Sequence, residues 1–253
     1  MEKSTAFSGT IDGITVLHYN YSDLKGRCGT MRKYYEAYDD RYRQVHKENL
    51  HWFDENPSSI VLEMTKKYAV PRNGKILEIG CGEGRDARFL LNGGYDVLAT
   101  DVSLAAVSYC QELDPEHRER YTQLDCLKGK LRNRFDFIYA VAVVHMLVLQ
   151  EDRDRFYGFF REHLSVDGTG LICPMGDGVM ERSSDISSAF DIQDRVHEQS
   201  GKTLQLASTS YRAVSFDTFR EEIRRNGLEI LDLGLTDIQP DYWKMMYAVV
   251  KAE

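Results

Sequence analysis

The sequence is short of several things that would place a chain in a specialised class. It has five cysteines, an odd number, and no CxxC pair. Neither a disulfide framework nor a cysteine-based zinc site is expected, and a reduced, cytoplasmic chain is the simple expectation. There is no HExxH and no clustered Cys/His pattern, so no metal is expected. Basic residues are outnumbered, 32 Lys and Arg against 40 Asp and Glu, for a net charge of −8. A nucleic-acid surface needs a basic footprint, so nucleic acid is not an expected partner. No apolar run approaches a membrane span, and Met1-Glu-Lys-Ser-Thr5 leads into no apolar core of signal-peptide length, so no membrane partner is expected. Internal repeats and low-complexity segments are also missing. What remains is 253 residues, 42% hydrophobic and 28% charged, enough for one large α/β domain with an elaboration or two.

The most informative stretch is Lys75-Ile-Leu-Glu-Ile-Gly-Cys-Gly-Glu-Gly-Arg-Asp86. Ile76, Leu77 and Ile79 read as a buried strand, Gly80, Gly82 and Gly84 as a sharp turn, and Ala87–Leu91 as the start of a helix. Such a turn is expected to bring bare backbone N–H groups at a helix end to a ligand. The next strand, Tyr95–Thr100, ends at Asp101, 21 residues after Gly80, where a nucleotide-binding sheet carries its ribose-binding carboxylate. A dinucleotide fingerprint, G-x-G-x-x-G, would need a third glycine at position 85, which is Arg85.

Glu78-x-Gly80-x-Gly82-x-Gly84 followed by Asp101 instead resembles motif I of the class I S-adenosylmethionine (SAM) methyltransferases. Gly82-Glu-Gly-Arg-Asp86, Gly94-Tyr-Asp-Val97 and Asp136-Phe-Ile138 with Val143-Val144 look like the small bacterial enzymes related to tellurite-resistance and thiopurine methyltransferases. The resemblance implies a doubly wound, mostly parallel seven-stranded α/β sheet with an N-terminal helical cap and an insertion after the fifth strand. It implies SAM as cofactor, S-adenosylhomocysteine (SAH) as product, and methyl transfer to a small molecule by in-line displacement. It also implies roles for particular residues. Glu78, Gly80, Cys81 and Gly82 would lie at the methionyl and ribose region, Asp101 would take the ribose hydroxyls, and Val102 would sit beside adenine. Asp125 and Cys126 would meet the adenine edge, and Ala140 and Val141 would line the wall under the sulfonium. His145, at a position where related enzymes often carry histidine, would be a general base or else pack the next helix.

The rest of the chain frames that core. Residues 1–70 read as an arm and cap helices and 71–253 as the SAM-binding domain, with 176–212 as a lid insertion. Residues 1–30 are strand-like around Gly13–Tyr21, with a loop at Gly26–Gly29. Met31–Phe53 reads as a helical aromatic face, with Tyr34, Tyr38 and Trp52 as candidate cap contacts. Ile60–Tyr68, Leu104–Leu113, Arg155–Leu164 and Ser215–Asn226 read as helices, and Tyr121–Asp125, Phe135–Val141 and Thr169–Cys173 as strands after a Val166–Gly168 turn. A short helix is expected around Ala189–Gln199, with His197-Glu198 a solvated pair. Leu228–Leu235 and Tyr242–Lys251 read as closing strands. A monomer or homodimer fits equally. Two other functions stay open: an NAD-dependent oxidoreductase, and a SAM-binding regulator that transfers nothing.

Overall fold

A computed structural model describes the chain except residues 1–5, 12–13, 20–31, 53–54, 198 and 238–244, and of 6–11 and 14–19 it describes the backbone alone. The Gly26–Gly29 loop, Phe53, Glu198 and the first residues of the expected Tyr242–Lys251 strand lie outside the described residues. The chain opens with an antiparallel pair, β1 (Ala6–Ile11) and β2 (Ile14–Tyr19). A 3-10 turn at Tyr34–Glu36 runs into α1 (Ala37–Lys47), and α2 (Ser59–Lys67) follows. Then β3 (Lys75–Ile79), α3 (Arg85–Asn92), β4 (Asp96–Asp101), α4 (Leu104–Leu113), β5 (Tyr121–Gln123), β6 (Phe135–Val141), α5 (Gln150–His163) and β7 (Leu164–Cys173) alternate. An insertion carries β8 (Arg182–Ser183), β9 (Ile192–Val196), β10 (Thr203–Ala207) and β11 (Arg212–Ala213). Helix α6 (Phe216–Arg225), β12 (Leu228–Thr236) and β13 (Met245–Ala252) close the chain.

Seven strands pair in the order β12-β13-β7-β6-β3-β4-β5. The five from β3 to β7 are parallel, and β13 runs antiparallel to both its neighbours. Helices cover both faces, so neighbouring residues of one strand enter different cores. Ile76, Phe137 and Leu171 pack on one side, and Leu77, Ile138 and Ile172 on the other. That is why these strands carry apolar residues at consecutive positions rather than a strict alternation. From β3 the chain moves outward through β4 to β5, then returns to place β6 on the other flank of β3. The direction of winding reverses between β3 and β6, and the carboxyl ends of those strands therefore open a crevice.

Several expectations need correction. The stretch around Ala189–Gln199 is not helical: β9 and β10 form a hairpin whose Leu204 and Leu206 pack on Val45 of α1, a two-residue alternation. His197, expected in solvent, is buried, and its Nε2 bonds the His51 carbonyl at 2.7 Å. Val166–Gly168 is no turn but part of β7, where its pairing with β6 slips between Phe135 and Phe137. The helical reading of Met31–Phe53 also contracts to the 3-10 turn and α1, and α5 begins at Gln150, earlier than expected.

One polar group stands in the middle of the apolar packing. The fully buried Arg153 of α5 forms a two-pronged ion pair with Glu222 of α6, at 2.7 and 2.6 Å, and Tyr157 donates to the same carboxylate. The third guanidinium nitrogen, Nη1, donates to the carbonyls of Val144 and Leu147 at 2.7 and 3.2 Å. It thereby fixes the segment after β6. Removing one member of such a pair strands a buried charge, at a cost of about 3–5 kcal/mol. Arg153→Met should therefore lower the melting temperature by roughly 6–20 °C for a chain of this size, measured by thermal denaturation. Adding Glu222→Leu should restore part of it, because the carbonyls of Val144 and Leu147 stay unpaired.

Candidate functional site

The crevice beside β3 and β6 holds a cleft of about 950 Å³, counting its open mouth. Its floor comes from strand ends and the loops after them: Glu78 to Gly82 after β3, Asp101 and Val102 after β4, Leu124 to Leu127 after β5, and Val141 to Val143 with Met146 and Leu147 after β6. Arg85 and Asp86 close one side, and Tyr35, Tyr38 and Tyr42 cover the top.

The glycine loop works differently from a phosphate cradle. The N–H groups of Gly80 and Cys81 both donate to the Thr100 carbonyl, at 2.7 and 2.9 Å, and the Gly82 N–H donates to Asp101 Oδ2 at 2.8 Å. The expectation of bare N–H groups at these positions is therefore corrected: the loop spends them on β4. Glycine is required for shape. Gly80 and Gly82 have φ of 71° and 52°. A Cβ at Gly80 would strike Val143, and one at Gly82 would lie 2.7 Å from the Tyr42 hydroxyl.

Two carboxyls on the floor are buried. Asp101 also accepts the Ser103 N–H at 2.8 Å, and burial pushes its pKa up to about 6 against the pull of the Ser103 and Gly82 N–H groups. Glu78 is raised further, by burial and then by the charge of Asp86, with Tyr139 opposing. Its Oε2 has no hydrogen-bond partner. Asp86 is occupied, taking the Ser58 N–H and hydroxyl at 2.5 and 2.8 Å. Asp125 is occupied too. It accepts the Tyr35 hydroxyl at 3.1 Å and the Leu127 N–H at 2.9 Å, and it pairs with Lys128 at 2.8 Å. Burial raises the Cys126 thiol, which is therefore neutral.

Helix α1 is held on two faces. Asp39 accepts from the Ser103 hydroxyl and the Ala105 N–H at 2.8 and 3.0 Å, Tyr42 covers Gly82, and His46 bonds Glu83 at 2.9 Å. On the other face Gln44 accepts the Ala207 N–H at 2.7 Å, and Arg41 donates to the Ala207 carbonyl. The 176–212 insertion thus grips the cap, and none of the residues lining the cleft comes from it.

Of the residues singled out in the sequence, Glu78, Gly80, Cys81, Gly82, Asp101, Val102, Asp125, Cys126, Val141 and Tyr38 line the cleft. Four lie elsewhere. Ala140 is buried within β6. Tyr34 turns away, donating to Asp152 at 2.9 Å and accepting the Val148 N–H. Trp52 donates its N–H to Glu83, and its ring faces His197. His145 is buried behind Met146 and Leu147 with Nδ1 unpartnered, and burial and the charge of Arg153 push its pKa down to about 3. Sequence reasoning passed over Arg85, Asp86, Met146 and Leu147, and left Tyr35 and Tyr42 within the aromatic face without naming them as contacts. The i, i+4 spacing of Tyr34, Tyr38 and Tyr42 marks one helical face and so favoured Tyr34, but Tyr34 and Tyr35 stand in the 3-10 turn before α1, where that periodicity does not place side chains. Ala142 also lines the cleft with φ 57°, a strained value for a residue other than glycine.

Comparison with known proteins places this geometry. Residues 77–169 match a family model described as a methyltransferase domain. The probable SAM-dependent methyltransferase TehB of Haemophilus influenzae is 31% identical over 100 residues, which make up 39% of this chain and 35% of that protein. The match thus spans about a third of that relative's length. A TehB-like SAM-dependent methyltransferase from Corynebacterium glutamicum superposes with a TM-score of 0.55 at 22% identity, covering 86% of this chain and 97% of that one. The glycopeptide N-methyltransferase MtfA, complexed with SAM, gives 0.59 at 20% identity over 81% and 97%. The fold is that of the class I SAM methyltransferases.

The loop geometry carries its own test. Gly80→Ala forces a left-handed residue and pushes Val143 out of the cleft wall, so it should cost about 1–3 kcal/mol from backbone strain alone. A lowered urea midpoint at unchanged slope would report it.

Proposed function

We propose that this chain, with the class I SAM-dependent methyltransferase fold and a methyltransferase domain at residues 77–169, transfers a methyl group from SAM to a small-molecule acceptor. The observation that carries this reading is the pair of buried carboxyls, Glu78 and Asp101, on the cleft floor at the ends of β3 and β4. SAM, when bound, supplies an activated methyl group that leaves its sulfonium by in-line displacement at carbon. The donor set suits that group: Asp101 would accept hydrogen bonds from ribose hydroxyls, and the unpartnered Glu78 Oε2 would accept one from the methionyl ammonium. Asp125 and Cys126 keep the adenine role, with Tyr35 and Lys128 fixing the carboxylate. Val141, Ala142 and Val143 form an apolar wall that excludes water, and the tyrosine cap, braced by the insertion, covers the acceptor. Orientation of two partners in such a cleft can supply several kcal/mol of the barrier.

A second reading, a SAM-binding regulator that transfers nothing, gains support from the position of His145, which leaves no histidine on the cleft wall among the described residues. Transfer of label from methyl-labelled SAM into a metabolite pool separates the two, and titration with NAD tests the oxidoreductase alternative.

Two outcomes are expected. Asp101→Asn should weaken SAM binding at least roughly tenfold at neutral pH, the loss expected for charge-assisted hydrogen bonds. In the parent protein, ribose hydroxyls bind the ionised carboxylate, so affinity should be constant above the Asp101 pKa of about 6 and fall as pH drops below it. The Asn variant should lack that fall; calorimetry reads both. His145→Leu should change turnover far less than the roughly 10²–10⁴-fold that loss of a general base produces. A loss of that size with SAM binding intact would restore His145 as the base.

A further inference from the structure

Among the described residues of the 32–47 segment, Arg41 is the arginine that no carboxylate answers; Arg32 pairs with Asp40 at 2.8 Å and Arg43 with Asp39 at 2.6 Å, while Lys33 and Lys47 are exposed. Arg41 has no carboxylate partner among the described residues. Its Nε and Nη2 donate to a neutral acceptor, the Ala207 carbonyl, at 3.2 and 3.0 Å. Its guanidinium carbon lies 5.5 Å from the ring centre of Tyr38 and 5.3 Å from that of Trp52. Half-buried between two aromatic rings and tied to a backbone carbonyl, this guanidinium is fixed in orientation and partly desolvated, the state in which it binds an anion best.

The surroundings add to this. Arg195, on the exposed strand β9, lies near enough for its charge to act on both Arg41 and Tyr38. Two cations share this spot in a chain whose net charge is −8. Ser210, between β10 and β11 and three residues beyond the Ala207 that Arg41 bonds, is buried with its hydroxyl unpartnered. Tyr38 joins the spot to the cleft, since it lies against Arg41 and lines the cofactor cavity. The cavity therefore has a carboxylate-rich floor and, just beyond Tyr38, an unneutralised guanidinium.

We propose that Arg41, assisted by Arg195, is the anion-recognising subsite for the methyl acceptor, and that the acceptor carries a carboxylate held there while its accepting atom points past Tyr38 into the cleft. This deepens the methyltransferase reading and rests on it. A bidentate guanidinium–carboxylate pair fixes direction as well as position, so it would also set which atom of the acceptor reaches the cofactor.

The test is calorimetric and uses the full chain. The protein is first saturated with SAH, then titrated with benzoate and, separately, with its neutral counterpart benzamide. Benzoate should bind roughly tenfold or more tighter than benzamide, the factor that one charge-assisted hydrogen bond supplies. Arg41→Met should remove the preference with SAH affinity unchanged, and Arg41→Lys should retain part of it. Should the Met variant fail to fold, Arg195→Met, at an exposed position, should still reduce the preference. Equal affinity for the two probes, no binding of benzoate, or an undiminished preference in Arg41→Met overturns the proposal. So does a tenfold loss of SAH affinity in Arg41→Met, which would assign Arg41 to the cofactor's own carboxylate. Failure of SAH to bind the parent protein counts against the methyltransferase reading instead, and the benzoate preference is then read on the free protein.

Discussion

The architecture of the cleft hangs on the carboxylate of Asp101. It ends β4, takes the N–H of Gly82 from the loop after β3, and takes the N–H of Ser103 at the head of α4. One side chain thus fastens the end of β4 to the glycine loop and to the head of α4. Ser103 in turn is the N-cap of α4 and donates its hydroxyl to Asp39 of the cap helix. The same carboxylate that lines the cleft floor is therefore the hub through which floor and roof are registered to each other. Its burial opposes ionisation and its two N–H donors favour it. The balance leaves a group that a bound hydroxyl can tip toward its charged form.

Much of this was legible in the sequence, and what was legible shares one cause. β3, β4 and β6 are covered on both faces, so they read as largely apolar runs, and the ends of β3 and β4 are marked by Gly80 and Asp101. The limits of α4 and β6 follow directly from local pattern. Residues at strand ends inherit their place in the cleft from topology, which is why Glu78, Asp101, Val102 and Asp125 were found. The failures lie where placement depends on contacts distant in sequence. Tyr34 and Tyr35 are adjacent, yet one serves Asp152 and the other the cleft, and only the packing of α1 decides which. His145 follows a strand that borders the cleft, but Arg153 pulls its segment inward through two carbonyls. The β9–β10 hairpin was misread because its polar outer residues hide the alternation of Leu204 and Leu206.

Helix α1 serves two neighbours at once. Positions 39, 42 and 46 address the loops after β3 and β4, and positions 41 and 44 address the insertion. The two sets fall on different sides of the helix. None of the insertion's described residues lines the cleft, yet through Ala207 it touches the helix that covers it.

The strand order also bears on how the chain is made. β3 pairs with β4 early, but its other edge waits for β6, whose last residue, Val141, is 62 positions beyond Ile79. At translation rates of about 5–20 residues per second, that edge stays unpaired for roughly 3–12 s after β3 emerges. Lys75-Ile-Leu-Glu-Ile79 is apolar on both faces and in that interval has the character of an aggregation-prone edge strand. The winding reversal that opens the crevice thus makes the nascent protein most vulnerable at its central strand, and newly made chains are the ones on which chaperones and crowding would act most strongly.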